Sequence, residues 1–311
     1  MAILRRPLEF VTWLMAPLGL LFAVLMLVDA RVIDGAPAWL KPLKFAVSTA
    51  IYSATLAWVL RFLPDWPRLA RRAATVTAWV FVVEVALIAL QAARGTTSHF
   101  NTSSAFDGAI FSVMGAAIAA QTVAAIAVTL ALWRQTFADR AMGWALRLGM
   151  ALAVAGASVG GMMTQPTAAQ LAQAREMQQM PRAGAHTVGA PDGGPGLPGT
   201  GWSLAHGDLR VPHFVGLHAM QVLPLVAWLV ARRRATRDSA RVGVVVGASA
   251  SYAALLVLLL AQAMMGQPLI APSGAVASAF AAWALGTVVL ILVAWRTLGA
   301  TVTSRTALEI A

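Results

Sequence analysis

Hydrophobic residues in this chain fall into long, nearly unbroken blocks, and polar residues are concentrated between them. Eight blocks are roughly twenty residues long, which as a helix rising about 1.5 Å per residue spans the hydrocarbon core of a bilayer. They predict helices at about 10–28, 43–63, 74–93, 106–132, 143–163, 212–231, 242–264 and 274–295. The pattern therefore predicts an all-α fold, a polytopic transmembrane helical bundle that forms one integral membrane domain over residues 1–311.

Composition agrees with this interpretation and excludes other classes of protein. Of the 311 residues, 59% are hydrophobic and 11% are charged, whereas soluble globular proteins have about 45–50% apolar and about 25% charged residues. A cytosolic enzyme and a disordered chain are both excluded, because too few residues are polar to cover a water-soluble body. The chain contains no cysteine, which excludes disulfides, thiolate metal sites and a cysteine nucleophile.

Positive charges predict the orientation of the helices. The formal net charge is +11, and Lys and Arg divide sixteen to seven between the two sides when the eight spans are followed in order. Cytoplasmic connections carry the excess of Lys and Arg, so we expect both termini in the cytoplasm and the protein in the cytoplasmic (inner) membrane of a bacterium. Orientation accounts for the charge, and no nucleic-acid partner is expected.

The first span has an alternative interpretation as a secretory signal peptide. Arg5 and Arg6 precede an apolar run, and residues 28–30 offer a possible cleavage site. The run is long for a signal peptide, and Glu9 lies where a signal peptide is basic. We expect the segment to remain as a membrane anchor, with cleavage left open.

One connection, residues 165–211, is much longer than the others and is expected on the extracytoplasmic side. It begins with an Ala- and Gln-rich stretch, Thr167–Met180, that predicts a short helix stopped by Pro181. Residues 183–201 then contain seven glycines and three prolines. Loops of this length are uncommon unless they are functional or disordered, and we expect an ordered Gly/Pro-rich cap.

All five histidines are expected on the side of this cap: His99, His186, His206, His213 and His218. Neutral imidazole suits zinc, copper and iron, so all five are candidate metal ligands. His213 and His218 are five residues apart, about 140° around a helix, and a regular helix cannot present both to one ion. His218 lies within a span, where a histidine needs a polar partner, a cavity or a metal.

Charged residues add candidates of another kind. Glu84 is expected near the bilayer midplane, where a carboxylate relays protons or is held protonated between helices. Arg94 and Arg210 have planar guanidinium groups that bind phosphate or carboxylate, although Arg94 fits equally well beside lipid headgroups. Asp208 lies in the same polar segment as Arg210.

Two further features have mainly structural interpretations. Ser104 and Asp107 have the spacing of a helix capping box at the start of the fourth span, so Asp107 is expected to be a cap rather than a catalyst. Lys41 and Lys44 open the second span and are expected to extend to the outer interface. They run against the positive-inside tendency, which raises the chance that they face an anionic group.

The first functional hypothesis is a protein with a His/Asp/Arg-lined extracytoplasmic site that binds zinc, copper, iron or haem and performs redox or metal-assisted chemistry on a lipid or quinone. The five histidines would supply the ligands. The catalytic candidates are Glu84, Asp208, Arg94 and Arg210.

Three alternatives remain open. One is a proton-coupled transporter that uses Glu84 and His218, with Gln91 and Gln221 on the pathway. Another is a metal-free, lipid-modifying enzyme with a histidine base and an arginine that binds a headgroup phosphate. The last is a scaffold without chemistry. Membrane lipids and a small-molecule, quinone or lipid substrate are the expected partners, whereas the sequence leaves the cofactor and the oligomeric state open.

Overall fold

The computed structural model describes residues 6–233 and 237–308. The helices are α1 (Arg6–Val28), α2 (Leu40–Val59), α3 (Pro67–Ala93), α4 (Ala105–Arg134), α5 (Arg140–Met163), α6 (Ala168–Met177), α7 (Arg210–Ala231), α8 (Asp238–Met264) and α9 (Gly274–Leu308). Within the described residues, eight helices are long and apolar enough to cross a membrane. Each predicted span coincides with one of them, so the all-helical fold and its eight potential spans are confirmed.

Several helices extend beyond the apolar blocks that predicted them. α3 begins at Pro67 rather than at residue 74, and α4 continues to Arg134. Proline suits the first turn of a helix, where its missing N–H is no loss. Long basic side chains at helix ends reach the membrane–water interface. The helices therefore continue into the less hydrophobic residues that flank the apolar blocks.

Much of the packed core lies toward one end of the bundle. Leu8 and Val11 of α1, Leu56 of α2, Ala74 of α3 and Leu132 of α4 are at most 2% exposed. Because successive helices run in opposite directions, these positions all lie toward the same end, where α1 and α3 begin and α2 and α4 end. This half is filled by side chains.

The tightest helix crossing joins α5 and α7 at two glycines. A Cβ added to Gly156 would lie 2.6 Å from backbone atoms of Gly216. Small residues allow helix backbones to approach closely in a membrane, and a larger side chain here would clash. The crossing fixes α5 beside α7 and thereby positions the side chains that both helices present to the interior.

Two small antiparallel hairpins lie at the end opposite the packed core. β1 (Val32–Ile33) pairs with β2 (Ala36–Pro37) between α1 and α2, and β3 (Thr187–Val188) pairs with β4 (Gly207–Asp208) within residues 165–211, hereafter the cap. Arg182 of the cap lies 2.7 Å from Asp34 at the turn of the first hairpin. The cap is thus joined to the α1–α2 connection.

The cap begins with the short helix that the sequence predicts. Thr167 Oγ1 accepts a hydrogen bond from the Gln170 backbone N–H at 3.2 Å, and Gln170 Oε1 accepts one from the Thr167 N–H at 2.9 Å. This reciprocal capping box starts α6. The helix ends at Met177, before Pro181, and Gln178 follows it in the left-handed region at φ 52°.

Candidate functional site

A large cavity lies directly beneath the cap. It has a volume of about 1550 Å³ and is lined by α2, α3, α4, α5, α7 and the Gly/Pro-rich part of the cap. On α2 the lining runs from Leu40 to Tyr52, about 18 Å along the helix axis. Pockets for small molecules usually measure about 300–1,000 Å³. The cavity therefore has room for a larger ligand in the cap half of the bundle.

The predicted histidines come together at this cavity. All five line it: His99 in the loop after α3, His186 and His206 in the cap, and His213 and His218 on α7. The sequence predicts that they share one side of the membrane. The fold thus places histidines from the loop after α3, from the cap and from α7 around the same cavity.

Glu84 and His99 form an acid–base pair on the cavity wall. Glu84 is 1% exposed, and its Oε1 lies 3.4 Å from His99 Nε2. The other ring nitrogen of His99 is 3.0 Å from Ser98 Oγ. Glu84 Oε2 is buried and has no hydrogen-bond partner in the described part of the chain. A buried polar atom without a partner is unusual and is typical of functional sites.

The surroundings of His99 keep its ring neutral. Burial lowers the pKa of His99 well below its usual value, and the positive charge of Lys41 lowers that pKa further. The ring packs against Phe45 and Phe100, with centroid distances of 5.6 and 6.0 Å. These contacts fix the ring beside Glu84.

His186 is held within the cap by Asp192. Its Nδ1 lies 2.8 Å from Asp192 Oδ2, and the backbone N–H groups of His186 and Thr187 donate to Asp192 Oδ1 at 3.0 Å. A carboxylate accepts hydrogen bonds, so His186 Nδ1 carries a proton and Nε2 is left as an acceptor.

The pKa values of this pair shift in the directions that the contacts predict. Burial lowers the pKa of His186 against the opposite effect of Asp192. Burial alone would raise the pKa of Asp192, but the hydrogen bonds from His186 and the backbone outweigh it and hold that pKa below its usual range. Asp192 is therefore an ionised anchor for a neutral imidazole.

His213 and His218 both lie inside α7. Because α7 begins at Arg210, Pro212 occupies its first turn, as the sequence predicts. His213 Nδ1 donates to the carbonyl oxygen of Gly156 on α5 at 2.8 Å. The ring of His218 packs edge-on against Phe214, with centroids 4.2 Å apart.

These positions do not assemble a metal centre. Among the described residues, no group of three or more His, Cys, Asp or Glu side chains is placed to hold one metal ion. α7 is regular through His213 and His218, so the separation of about 140° around the helix applies. His206 lies in the cap, where its backbone N–H donates to Ser203 Oγ at 3.0 Å. The metal or haem site among the histidines gains no support here and stays a prediction.

Lys41 and Lys44 line the cavity, and this corrects the expectation that they extend to the membrane interface. Lys44 Nζ donates to the carbonyl oxygen of Thr200 in the cap at 2.8 Å. Within the described residues, Lys41 has no hydrogen bond and no carboxylate within 4.0 Å. A cation without a close counter-ion therefore faces the cavity.

Arg210 and Asp208 bind each other at the start of α7. Arg210 Nε lies 2.9 Å from Asp208 Oδ1, and the Ser203 N–H donates to Asp208 Oδ2 at 2.8 Å. Arg210 lines the cavity and also donates to the carbonyl oxygen of Gly201 at 2.6 Å. Asp208 lies behind the lining and is 3% exposed. The pair organises the end of the cap, and a catalytic role for either residue stays a prediction.

Arg94 lies outside the cavity lining, in a cluster that joins the end of α3 to the start of α4. Its Nη1 is 2.5 Å from Asp107 Oδ1 and contacts Gln91 Oε1, and Gln91 Nε2 donates to Asp107 Oδ1 at 2.8 Å. The Asp107 N–H donates to Ser104 Oγ at 3.1 Å, the cap that the sequence predicts. This geometry gives no support to catalysis by Arg94.

The polar pathway considered for a transporter is divided into separate local contacts. Gln91 binds the Arg94 cluster rather than Glu84. Gln221 on α7 donates to Thr55 Oγ1 on α2 at 3.1 Å. These residues do not form one continuous polar seam with His218.

A polar stripe on α2 is a feature of the site that sequence reasoning missed. Lys41, Lys44, Ser48 and Tyr52 all line the cavity. Spacings of three and four residues place side chains on one face of a helix. The sequence of the second span therefore already contained the pattern of a polar helix face. Tyr52 Oη accepts a hydrogen bond from Gln121 Nε2 of α4 at 2.9 Å near the inner end of the cavity.

Comparison with known proteins adds no family to this description. No protein-family model, no curated protein and no solved structure matches the chain. The cavity and the groups that line it are therefore the basis for assigning a function.

Proposed function

We propose that this protein is a membrane enzyme that acts by acid–base catalysis on a lipid-like molecule held in the cavity beneath the cap. The observation that carries the proposal is the Glu84–His99 pair, 3.4 Å apart on the cavity wall with Glu84 Oε2 unpartnered among the described residues. A buried carboxylate within a membrane span is a functional group by default.

The cavity wall supports a substrate with a hydrocarbon portion. Between its polar groups the lining is apolar and includes Phe81, Ile88, Met114, Ile118 and Val154. Burial of hydrocarbon against such a surface is favourable. A length of about 18 Å along α2 suits an elongated molecule better than a compact polar one.

The chemistry available to the pair is transfer of one proton. One proton can be shared between Glu84 Oε1 and His99 Nε2, which lie 3.4 Å apart. Glu84 can give this proton to a substrate as a general acid and then accept one as a carboxylate base. General acid–base catalysis contributes about 10²–10⁴-fold to a rate.

Reconstitution tests this proposal. The purified protein is placed in liposomes made from the lipid and quinone extract of the membranes that produced it, and lipid composition is followed by mass spectrometry. Wild type should consume one component and release one product, and Glu84→Gln should slow this by about 100-fold or more. Glu176→Gln, on the exposed face of α6, is the matched control. Equal rates in wild type and Glu84→Gln, or no conversion by wild type, would contradict the proposal.

A proton-coupled transporter is the second candidate. It is favoured by the one-sided position of the cavity, because an alternating-access protein with a closed far half has this form. The experiment above separates the two functions. A transporter would move a substrate across sealed proteoliposomes in response to a pH gradient, lose that response in Glu84→Gln, and leave every lipid chemically unchanged.

A metal- or haem-dependent protein remains the third candidate. The Nδ1 atoms of His186 and His213 are both bound within the protein, and this arrangement orients Nε2 for a ligand in many metal sites. Metal analysis and an absorption spectrum of protein purified without chelators test it. Colourless, metal-free protein would count against it.

The proposal also includes an orientation, with the cap outside the cytoplasmic membrane of a bacterium and both termini inside. The distribution of Lys and Arg supports it. Because the chain has no cysteine, single cysteines can be introduced without background. Gln173→Cys in the cap should react with a membrane-impermeant maleimide in intact cells, whereas Ala138→Cys between α4 and α5 should react only after lysis. The reverse pattern would invert the orientation.

A further inference from the structure

We infer that the ligand of this cavity is an amphiphile with an anionic headgroup, which binds at Lys41 beneath the cap and extends its hydrocarbon chain into the bundle. The inference rests on the lipid-like substrate proposed above and names its chemical class. It comes from the charges at the cap end of the cavity and from the apolar lining below them.

The cap end of the cavity carries a cation with no close counter-ion. Lys41 lines the cavity, and in the part of the chain that the structure describes it has neither a hydrogen bond nor a carboxylate within 4.0 Å. Lys44, one turn further along α2, also lines the cavity, where its ammonium group donates to the cap. A cation held in a partly buried site is stabilised by an anion that enters beside it.

The acidic residues around this end are engaged elsewhere. Asp34 and Asp192 both lie near Arg182, at 2.7 and 3.3 Å, and Asp208 lies 2.5 Å from Arg210. Each of these three carboxylates is thus paired with an arginine, and none lies within 4.0 Å of Lys41. Glu84 lines the same cavity and also lies more than 4.0 Å from Lys41.

One helix N-terminus adds to the positive potential. α2 begins at Leu40, which lines the cap end of the cavity, whereas the first N–H of α7 already donates to Asp208. The N-terminus of a helix carries a partial positive charge of about half an elementary charge. The start of α2 and Lys41, its second residue, thus favour an anionic group at the same place.

The lining changes character below this point. Toward the inner end, α4 and α5 contribute Met114, Ile118, Met150 and Val154, none of which can bind a charge. An anionic group at Lys41 therefore leaves the rest of an elongated ligand against a largely apolar surface, in which Tyr52 and Gln121 bind each other. Both a fatty-acid carboxylate and a phospholipid phosphate have this shape and charge.

Trp202 provides the measurement, because it lies in the cap and lines the cavity. The full-length protein in an uncharged detergent is titrated with dibromostearate, dibromo-phosphatidylglycerol or dibromo-phosphatidylcholine, and bromine quenching of Trp202 is read as the difference from Trp202→Phe. We expect at least one anionic amphiphile to quench at a concentration about tenfold or more below the zwitterionic one. Quenching by the stearate but not by the phosphatidylglycerol would identify a carboxylate as the bound headgroup. Quenching by the phosphatidylglycerol but not by the stearate would identify a phosphate.

Variants locate the anion. Lys41→Met should weaken anionic quenching by about tenfold or more, while Lys41→Arg preserves it and shows that the fold is intact. Arg175→Met, which removes an exposed charge from α6 in the cap, should bind like wild type. Equal quenching by the zwitterionic and anionic lipids, or wild-type binding by Lys41→Met, would overturn the inference.

Glu84→Gln separates this inference from the proposed chemistry. If Lys41 binds the anion, Glu84→Gln retains anionic quenching whether or not it loses catalysis. Loss of anionic binding in Glu84→Gln to the same extent as in Lys41→Met would mean that the two residues act as one internal ion pair, and the inference would fail.

Discussion

Glu84 in α3 and His99 in the loop after it meet on the cavity wall, with Oε1 3.4 Å from Nε2. The chain returns between them through Gly95, whose φ of 73° is open to glycine at little cost. This contact satisfies one oxygen of a carboxyl group that is otherwise surrounded by protein. The second oxygen has no partner among the described residues, an arrangement that lowers stability and is typical of functional sites.

Replacement of Glu84 by methionine should therefore leave the protein as stable as wild type or more stable, by up to about 1–3 kcal/mol, because a buried polar atom without a partner is removed. Thermal unfolding in detergent measures this. Gln91→Met is the matched control on the same helix, since Gln91 is fully buried and its side chain is paired. If Glu84→Met loses as much stability as Gln91→Met, Glu84 is a structural residue.

Substitution in the cluster of Gln91, Arg94 and Asp107, where α3 meets α4, should instead lower the stability of the protein. Asp107→Ala removes the acceptor for Gln91 Nε2 and the contact with Arg94. A buried amide left without its partner costs about 1–3 kcal/mol, so the unfolding temperature should fall. Lipid conversion per folded molecule should remain near that of wild type. A loss of conversion by 100-fold in a folded Asp107→Ala protein would restore a catalytic role for this cluster.

The helices could be predicted from the sequence because the signal for a membrane span is local. A block such as 74–93 is apolar whatever its neighbours are, and in lipid a helix satisfies its own backbone hydrogen bonds. The position of the histidines toward one end of the bundle follows from the same alternation of spans. These conclusions need no knowledge of which helices touch.

The partners within the site depend on tertiary contacts and could not be predicted in this way. Gln91 follows Glu84 by seven residues and so lies on the same face of α3. Its side chain nevertheless binds Asp107 of α4. Lys44 has the position of an interfacial lysine, but the cap folds back and supplies the Thr200 carbonyl. The α2 stripe was readable from its spacing, whereas its partners across the cavity come from other helices.

The α5–α7 crossing offers a test of packing at single-atom scale. Gly156→Ala places a methyl group 2.6 Å from the Gly216 backbone, and overpacking of this kind costs about 1–3 kcal/mol. The same change shifts the carbonyl that binds His213. Gly161→Ala, on the same helix with no atom within 4 Å of the added Cβ, should change stability by about 1 kcal/mol or less. Equal unfolding temperatures for the two variants would contradict this crossing.

The cap should loosen as the pH falls below about 6.5. Burial lowers the pKa of His186 from its usual value of 6.5, so below that pH the unfolded cap binds a proton that the folded cap does not. Stability then falls with decreasing pH, and His99 acts in the same direction. The lowered pKa of Asp192 adds stability that is lost only at more acidic pH, below the usual range of a carboxyl group.

Hydrogen exchange of the peptides that cover residues 183–209 measures this loosening. After correction for the intrinsic rate, protection at about pH 5 should be lower than at about pH 7.5, while peptides from the packed half of α3 should show no change. In His186→Gln the side-chain amide can still donate to Asp192 but does not titrate, so a smaller pH effect is expected, with the remainder due to His99. A cap equally protected at both pH values in the wild type would show that neither buried imidazole takes up a proton on opening.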